Sequence, residues 1–212
     1  MRDVELAFER LSRSFGRVAV LAGVSGEVRQ GEVMIVCGPN GSGKSTLLRC
    51  LAGLLRPQTG SIRLREGARE LDAAARRLRV GYVAPDLALY EALTARENLE
   101  LFCRLRGVPA QRGGELLARL DLPPERLAGA LSSGMRQKLR WAWALLHEPR
   151  VLLLDEPFQN LDGTGEAAVR VLLDRHLEGG LAVVATPSEL RLPRVDHRLE
   201  LARPGASAGR AA

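Results

Sequence analysis

The chain has 212 residues, of which 46% are hydrophobic, enough for one α/β domain with a sizeable core. Its formal net charge of +6 comes with arginines that are scattered along the sequence, without basic blocks or interleaved aromatic residues. We therefore expect a solvated, arginine-rich surface and no nucleic-acid partner. No apolar stretch approaches the ~20 residues that span a bilayer, and the acidic residues Asp3 and Glu5 argue against a secretion signal.

The cysteines Cys37, Cys50 and Cys103 lie inside apolar patterns and lack the spacing of metal ligands. We expect all of them to be buried, reduced thiols. Such thiols are typical of cytosolic proteins, so a cytoplasmic location is predicted.

Two irregularly alternating stretches, residues 3–9 and 18–29, predict short strands at the start of the chain. A turn at Ser14–Gly16 would expose Phe15, and an aromatic ring in such a turn can stack on a purine base, a contact worth ~1–3 kcal/mol. Taken alone, an aromatic residue here is more often part of a small hydrophobic cluster. Both interpretations of Phe15 stay open on this pattern.

The strongest pattern is a strand-length apolar run, Val33–Cys37, followed by a glycine-rich loop and a helical repeat. The loop fits G-x-x-x-x-G-K-[ST], the phosphate-binding P-loop. Glycines let successive backbone N–H groups face an anion, and the helix that follows adds the positive end of its dipole. The predicted nucleotide-binding residues are Gly38, Pro39, Asn40, Gly41, Ser42, Gly43, Lys44, Ser45 and Thr46.

Lys44 is predicted to reach the β- and γ-phosphates of a nucleotide, and the Ser45 hydroxyl to bind Mg²⁺. Lys44 and Lys138 are the lysines among 31 basic residues, so this chain uses arginine almost everywhere else. A compact ammonium fits a phosphate loop better than a planar guanidinium does.

The helix after the loop is predicted to have one apolar face, with Gly53 as its C-cap. That face comprises Leu47, Leu48, Leu51, Leu54 and Leu55. Residues 61–65 and 79–84 predict strands, joined by a surface turn and a short helix between Glu66 and Arg77.

A capping box at Thr94 and Glu97 begins a helix that should end at Gly107. Because the periodicity is purely helical over about 87–147, we expect a small helical subdomain there, inside a single domain of residues 1–202. Towards the end, a helix at 163–178, strands at 181–185 and 197–202, and a disordered tail at 203–212 are predicted.

Leu131-Ser132-Ser133-Gly134-Met135 opens another helix. Its apolar side is predicted at Met135, Leu139, Ala142 and Leu146, opposite Arg136, Lys138 and Arg140.

The continuous apolar run Val151–Leu154 predicts a buried parallel strand, with Asp155 and Glu156 at its carboxyl end, where ligands bind in open α/β sheets. Asp155 suits Mg²⁺ binding from behind the direct ligands or through water, and Glu156 could orient or deprotonate an attacking water. The alternative is an ordinary polar strand exit before a proline turn. The predicted fold class is an α/β P-loop NTPase with a mainly parallel sheet core, an N-terminal antiparallel β region and a small helical subdomain.

Together these motifs resemble the ATP-binding subunit of ABC transporters over roughly residues 4–200. The defining element of that family is the signature L-S-G-G-Q, which stands here as Leu131–Met135. The resemblance implies that Ser132 and Gly134 contact the γ-phosphate of an ATP held by a second subunit, so that two ATPs are sandwiched in a head-to-tail dimer. It also implies that Phe15 stacks on adenine and that Asp162 lies in a loop at the dimer interface.

The resemblance further implies ATP and Mg²⁺ as cofactors and hydrolysis of ATP with Glu156 as the catalytic residue. The implied partners are a transmembrane permease subunit, held by the helical subdomain, and a second ATP-binding subunit in a homo- or heterodimer. The chain would then lie in the cytoplasm, peripheral on the inner face of the cell membrane.

Three positions depart from the family pattern. The signature has Ser133 and Met135 in place of Gly and Gln. Pro85 stands where the family has a glutamine that couples Mg²⁺ and water to the helical subdomain, with Asp86 as the nearest polar residue. Pro187 stands where a switch histidine should follow Thr186, and His147, His176 and His197 are not placed to replace it.

Losing one preorganised donor to a γ-phosphate can lower kcat by ~10²–10³, by analogy with oxyanion donors. The sequence therefore predicts a working ATPase, either of reduced rate or with its missing groups supplied by a non-identical partner. The alternative is a regulatory nucleotide-binding module with weak or no hydrolysis. A soluble translation or repair ATPase would need tandem cassettes or a coiled-coil insertion, and a small-molecule kinase would lack the signature. The length and Asp155-Glu156-Pro157-Phe158 resemble compact exporter ATPases, including those for haem export, while the substrate and the direction of transport stay open.

Overall fold

The computed structural model describes residues 3–186, 192 and 194–203. Within them the strands are β1 (Val4–Phe15), β2 (Val18–Arg29), β3 (Val33–Cys37), β4 (Thr59–Glu66), β5 (Arg69–Glu70), β6 (Val80–Val83), β7 (Val151–Asp155), β8 (Leu181–Ala185) and β9 (His197–Glu200). The helices are α1 (Lys44–Leu51), α2 (Ala73–Leu78), α3 (Ala95–Arg106), α4 (Gln111–Arg119), α5 (Ser133–Leu145) and α6 (Gly163–Leu177), with a 3₁₀ turn at Ala128–Ala130.

The strands β1 to β9 form two sheets. The first is antiparallel, in the order β2-β1-β4-β5. The second is parallel, in the order β6-β7-β8-β3-β9. Because β3 and β7 run in the same direction, the loop after Cys37 and the carboxylates after Leu154 emerge at the same edge of the sheet. The predicted fold class is confirmed.

Strands β7 and β8 are buried at every position, which explains why their sequences are continuously apolar and do not alternate with polar residues. Alternate side chains point to opposite faces of the sheet. Val151 and Leu153 pack with α1 and the antiparallel sheet. Leu152 and Leu154 pack with helices α3 to α6. The site edge is therefore fixed by two hydrophobic layers, one on each face.

Several features at the ends of the helices can be compared with the sequence predictions. The Thr94 hydroxyl accepts from Glu97 N at 3.1 Å and the Glu97 carboxylate accepts from Thr94 N at 2.8 Å, so the capping box of α3 is present. Gly107 is the C-cap of α3, with a φ of 65°. Gly53, expected as the C-cap of α1, has a φ of 72° but lies one residue beyond the observed C-cap, Ala52. Helices α3 to α5 lie between β6 and β7 in the chain. The bounds of the helical subdomain and of the single domain stay predictions.

Other expectations were wrong. Helix α1 ends at Leu51, before the helical repeat does, so Leu54 lies beyond it with 63% of its surface exposed. The first strand runs on from residue 9 to Phe15, and the connection between Glu66 and Arg77 contains β5 as well as α2. Cys37 is only half-buried, whereas Cys50 and Cys103 are buried, and all three are free thiols.

Helix α5 also differs from its predicted pattern, because its buried side includes Gln137 and Trp141 while Met135 is only half-buried. Among the residues that the structure describes, no helix is long and apolar enough to cross a membrane. Pro187 and the tail at 204–212 lie outside those residues.

Candidate nucleotide site

The loop between β3 and α1 is shaped by three glycines in the left-handed half of backbone space: Gly38, Gly41 and Gly43 have φ values of 147°, 79° and 99°. L-residues rarely adopt such angles, and two of these positions also lack room for a side chain. A Cβ on Gly38 would lie 2.4 Å from Leu201 O, and one on Gly43 would lie 2.8 Å from Val20 O. The glycines therefore let the loop curl against its neighbours, as an anion-binding nest requires.

Lys44 is buried within this loop, with 6% of its surface exposed. Its ammonium donates to Gly38 O at 2.8 Å and to Pro39 O at 3.1 Å, which places the charge over the turn of the loop. Ser42 is 1% exposed, and its hydroxyl has no hydrogen-bond partner among the residues that the structure describes. A buried cation beside an unpartnered hydroxyl fits a phosphate group.

Asp155 and Ser45 come together at the same edge of the sheet. Asp155 is 4% exposed, and burial raises the pKa of its carboxyl, with a further rise from the nearby charges of Glu156 and Asp86. A side-chain hydrogen bond with Ser45 acts in the opposite direction and favours the ionised form. A buried carboxylate beside a hydroxyl is a suitable pair of oxygen ligands for Mg²⁺, since a divalent cation would compensate the buried charge.

Glu156 follows directly, in a strained turn. Its φ is 47°, in the left-handed region, and its backbone N–H donates to Ala185 O at 3.0 Å. The residue is half-buried, between the enclosed Asp155 and the exposed loop at Gln159 and Asn160. An acid at this place can take a proton from a water near a phosphate bound at the same edge of the sheet.

The signature segment caps its own helix. The Ser132 hydroxyl accepts from Met135 N at 3.1 Å, as an N-cap does. Gly134 packs so closely on the following loop that a Cβ would lie 2.7 Å from Asn160 O. Ser132 and Asn160 are exposed, so this end of α5 is open to a partner surface.

Phe15 and Asp162 have local partners in the described structure. Phe15 is 49% exposed at the end of β1, and the Arg13 guanidinium lies 5.0 Å from its ring centroid. Asp162 is the N-cap of α6, where hydrogen bonds from Gly165 N and the Thr164 hydroxyl lower the pKa of its carboxyl. Capping accounts for Asp162 without a nucleotide, and the roles of both residues toward ATP stay predictions.

The segment where the family glutamine is missing is also described. Pro85 is exposed and Asp86 forms an ion pair with Arg49 of α1. The three histidines are engaged elsewhere: the Nε2 atoms of His147 and His176 lie 3.0 Å from Val80 O and Leu181 O, and His197 pairs with Glu32 at 2.9 Å. None of these contacts places an imidazole at the phosphate loop.

Three residues of α5 that were not predicted as part of the site contact the segment around Glu156 and the loop after β6. Gln137 and Trp141 donate to the backbone of the Glu156–Pro157 turn, and Arg140 donates to Leu87 O. The sequence did hold one signal, because an amide and an indole stand on a helix at i and i+4, where they share a face. Their partners, however, lie 16 to 20 residues away along the chain.

Comparison with known proteins shows to which family this arrangement belongs. The family model for the ABC transporter matches residues 21–159. The chain is 39% identical to the Daunorubicin resistance ATP-binding protein DrrA3 of Streptomyces coeruleorubidus, over 90% of this chain and 62% of that protein. It is 37% identical to the Lipoprotein-releasing system ATP-binding protein LolD of Maricaulis maris, over 95% and 96% of the two chains.

Solved structures agree. A dimeric bacterial ABC transporter cassette superposes with a TM-score of 0.82 at 25% identity, covering 93% of this chain and 94% of that one. A dimeric cassette in a post-hydrolysis state, bound to ADP and Pi, superposes with a TM-score of 0.75 at 26% identity, covering 86% and 88%. The chain therefore belongs to the ABC transporter family and is related to its ATP-binding subunits.

Proposed function

We propose that this chain binds and hydrolyses ATP to power an ABC transporter. The observation that carries the proposal is the meeting of four groups at one edge of the parallel sheet. The buried ammonium of Lys44 lies over the glycine loop, the Ser45 side chain lies beside the buried Asp155 carboxyl, and Glu156 follows in a strained turn.

Each group has a role that follows from its chemistry. The loop amides and Lys44 would hold the β- and γ-phosphates, and Ser45 with Asp155 would hold Mg²⁺, which neutralises charge on the phosphates when it is bound. Glu156 would orient the attacking water and accept its proton. The half-buried position of Glu156 keeps it within reach of solvent water while Asp155 stays enclosed.

We further propose that two copies, or this chain and a related one, sandwich two ATPs head to tail. The exposed N-terminus of α5, with Ser132 and Gly134, would complete the phosphate site of the opposite subunit. Exposure of Asn40 and Gly41 in the phosphate loop supports this, because these residues are accessible to a second surface. The two dimeric cassettes among the structural neighbours are consistent with such an assembly.

An apolar groove of about 250 Å³ supports a membrane partner. It lies between the end of α1, the loop after β6, and helices α3 and α5, and it is lined by Leu54, Tyr82, Leu87, Phe102, Trp143 and His147. We propose that a cytoplasmic segment of a transmembrane permease docks here, which would hold the chain on the inner face of the membrane. One related protein is named for daunorubicin resistance and another for lipoprotein release. Because similar chains have such different roles, we propose that the permease selects the substrate.

Steady-state ATP hydrolysis by the wild-type chain and by Glu156→Gln tests the proposal. We expect wild type to hydrolyse ATP and the variant to be slower by ~10²-fold or more, with nucleotide affinity retained, because the amide cannot accept the proton. Background rates for both proteins, with ATP still bound, would refute an ATPase.

That outcome would instead support a regulatory nucleotide-binding module. One observation favours this second candidate: at the position of the missing glutamine, Pro85 offers no polar side chain and Asp86 is paired with Arg49. The group that would couple the metal site to the helices is thereby absent or already occupied.

A further inference from the structure

Helix α5 does more in this fold than present the signature segment at its N-terminus. On its buried side, Gln137 is 2% exposed and Trp141 is fully buried. The Gln137 amide donates to Pro157 O at 3.0 Å and to Glu156 O at 3.4 Å, and the Trp141 indole donates to Pro157 O at 2.9 Å. The backbone carbonyls of Glu156 and Pro157 thus accept hydrogen bonds from side chains of α5.

This turn has few other means of being fixed. Pro157 has no N–H, and Glu156 is in the left-handed region at a φ of 47°. Among the described residues, the backbone of the turn is joined to the sheet by one hydrogen bond, from Glu156 N to Ala185 O at 3.0 Å. A strained conformation persists only where its surroundings over-determine it, and here the surroundings are β8 on one side and α5 on the other.

A third side chain links these contacts to a different part of the molecule. Half-buried Arg140 donates from Nε to Leu87 O at 3.0 Å and from Nη1 to Oε1 of Gln137 at 3.3 Å. Leu87 belongs to the loop after β6 and lines the apolar groove. The hydrogen bonds therefore form one continuous chain from Leu87 through Arg140 and Gln137 to Pro157 and Glu156.

We propose that Gln137 and Arg140 are positioning residues, which fix the turn that carries Glu156 and join it to the loop beside the apolar groove. This route does not use the position occupied by Pro85. It offers a link between the groove and the turn in a chain that lacks the coupling glutamine. The effect on ATP hydrolysis rests on the proposed function, whereas the mechanical link between the turn and the loop after β6 does not.

The first measurement is hydrogen exchange in the nucleotide-free protein, which needs no hydrolysis. The amides of Gln159 and Leu161 bond to Glu156 O and Phe158 O at 3.1 and 3.2 Å, so they report on the turn. We expect exchange in residues 158–161 to be about fivefold faster in Gln137→Met and in Arg140→Met, as the loss of about one hydrogen bond predicts. Arg104→Met, the same substitution at an exposed site on α3, is the matched control and should leave these amides unchanged.

The second measurement separates kcat from KM for ATP. We expect Gln137→Met to lower kcat about tenfold or more with KM unchanged, because a small misplacement of a catalytic group is costly. Arg140→Met should lower kcat less, Arg140→Lys should recover part of that loss, and the double variant should match Gln137→Met, since Arg140 acts through Gln137. Losses that multiply in the double variant would overturn the relay.

Unchanged exchange at 158–161 in both single variants would also overturn the proposal. If Gln137→Met does not fold, Arg140→Met decides alone, because its side chain touches the turn only through Gln137 among the contacts described. A wild-type chain that binds ATP and hydrolyses none would refute the proposed function and leave the exchange result to decide the mechanical link.

Discussion

Helices α1 and α5 both begin after loops that contain serine and glycine, but their first turns are completed in different ways. The N-cap of α1 is Gly43, whose φ is 99° and which provides no side-chain acceptor for the helix amides. The N-cap of α5 is Ser132, whose hydroxyl accepts from Met135 N at 3.1 Å. Helix α1 leaves its N-terminal N–H groups available to a ligand, whereas in α5 the Ser132 hydroxyl already satisfies one of these N–H groups.

The difference matters because free N–H groups and an aligned dipole together attract an anion. At α1 that attraction is strengthened by the buried Lys44. At α5 it is weaker, so this terminus would contribute only when a second subunit brings a phosphate to it. We expect changes at α1 to act on nucleotide affinity, and changes at α5 to act on hydrolysis and on the stability of the helix.

The largest effect is expected from Lys44→Met. Removing the ammonium from the phosphate loop should lower ATP affinity by ~100-fold or more, since charge-assisted hydrogen bonds to phosphate are the strong ones. Titration with a fluorescent ATP analogue measures this. Lys138→Met, at the other lysine of the chain, is the control and should stay within about twofold of wild type. Equal losses in both variants would show that bulk charge, and not the loop, sets the affinity.

A smaller effect is expected at the start of α5 from Gly134→Ala. The new methyl group would lie 2.7 Å from Asn160 O, so the loop after Glu156 must shift, at a cost of about 1–3 kcal/mol. We expect ATP hydrolysis to fall about tenfold while ATP affinity is retained.

Gly114→Ala provides the matched control for this substitution. Gly114 lies in α4, where a methyl group would meet no described atom outside the adjacent helix backbone within 4 Å. Alanine should therefore raise the free energy of unfolding by about 0.5–1 kcal/mol and leave hydrolysis unchanged. Normal hydrolysis in Gly134→Ala would mean that the loop tolerates the shift and that this contact does not matter for turnover.

The smallest effect separates capping from ligand binding at Ser132. Ser132→Ala should lower the free energy of unfolding by about 1 kcal/mol through loss of the N-cap, measured by urea denaturation. Ser132→Asp keeps an acceptor for Met135 N and should keep that stability, yet its negative charge should repel a phosphate and slow hydrolysis. If both variants unfold alike, the serine does not stabilise α5 through its hydroxyl.

Features whose causes lie within a few residues could be predicted from the sequence. The capping box at Thr94, the glycine loop before Lys44 and the buried strand Val151–Asp155 are of this kind. The burial of Gln137 and Trp141 could not be predicted, because their acceptors belong to a turn that only the fold brings to α5. Asn98 is similar: it is 2% exposed because its amide bonds to the backbone of Tyr90, Leu93 and Thr94. Polar residues on helical surfaces look solvated until the loops that cover them are known.

The position of β3 in the parallel sheet has a consequence for biosynthesis. Its two neighbours, β8 and β9, are made from residues 181–185 and 197–200, so both edges of Val33–Cys37 stay unpaired until these two segments have been synthesised. At about 5–20 residues per second, this interval lasts roughly 10–30 s during synthesis. The strand that leads into the phosphate loop is thus synthesised well before either of the strands that pair with it. Over that time, its unpaired apolar edges need protection from aggregation.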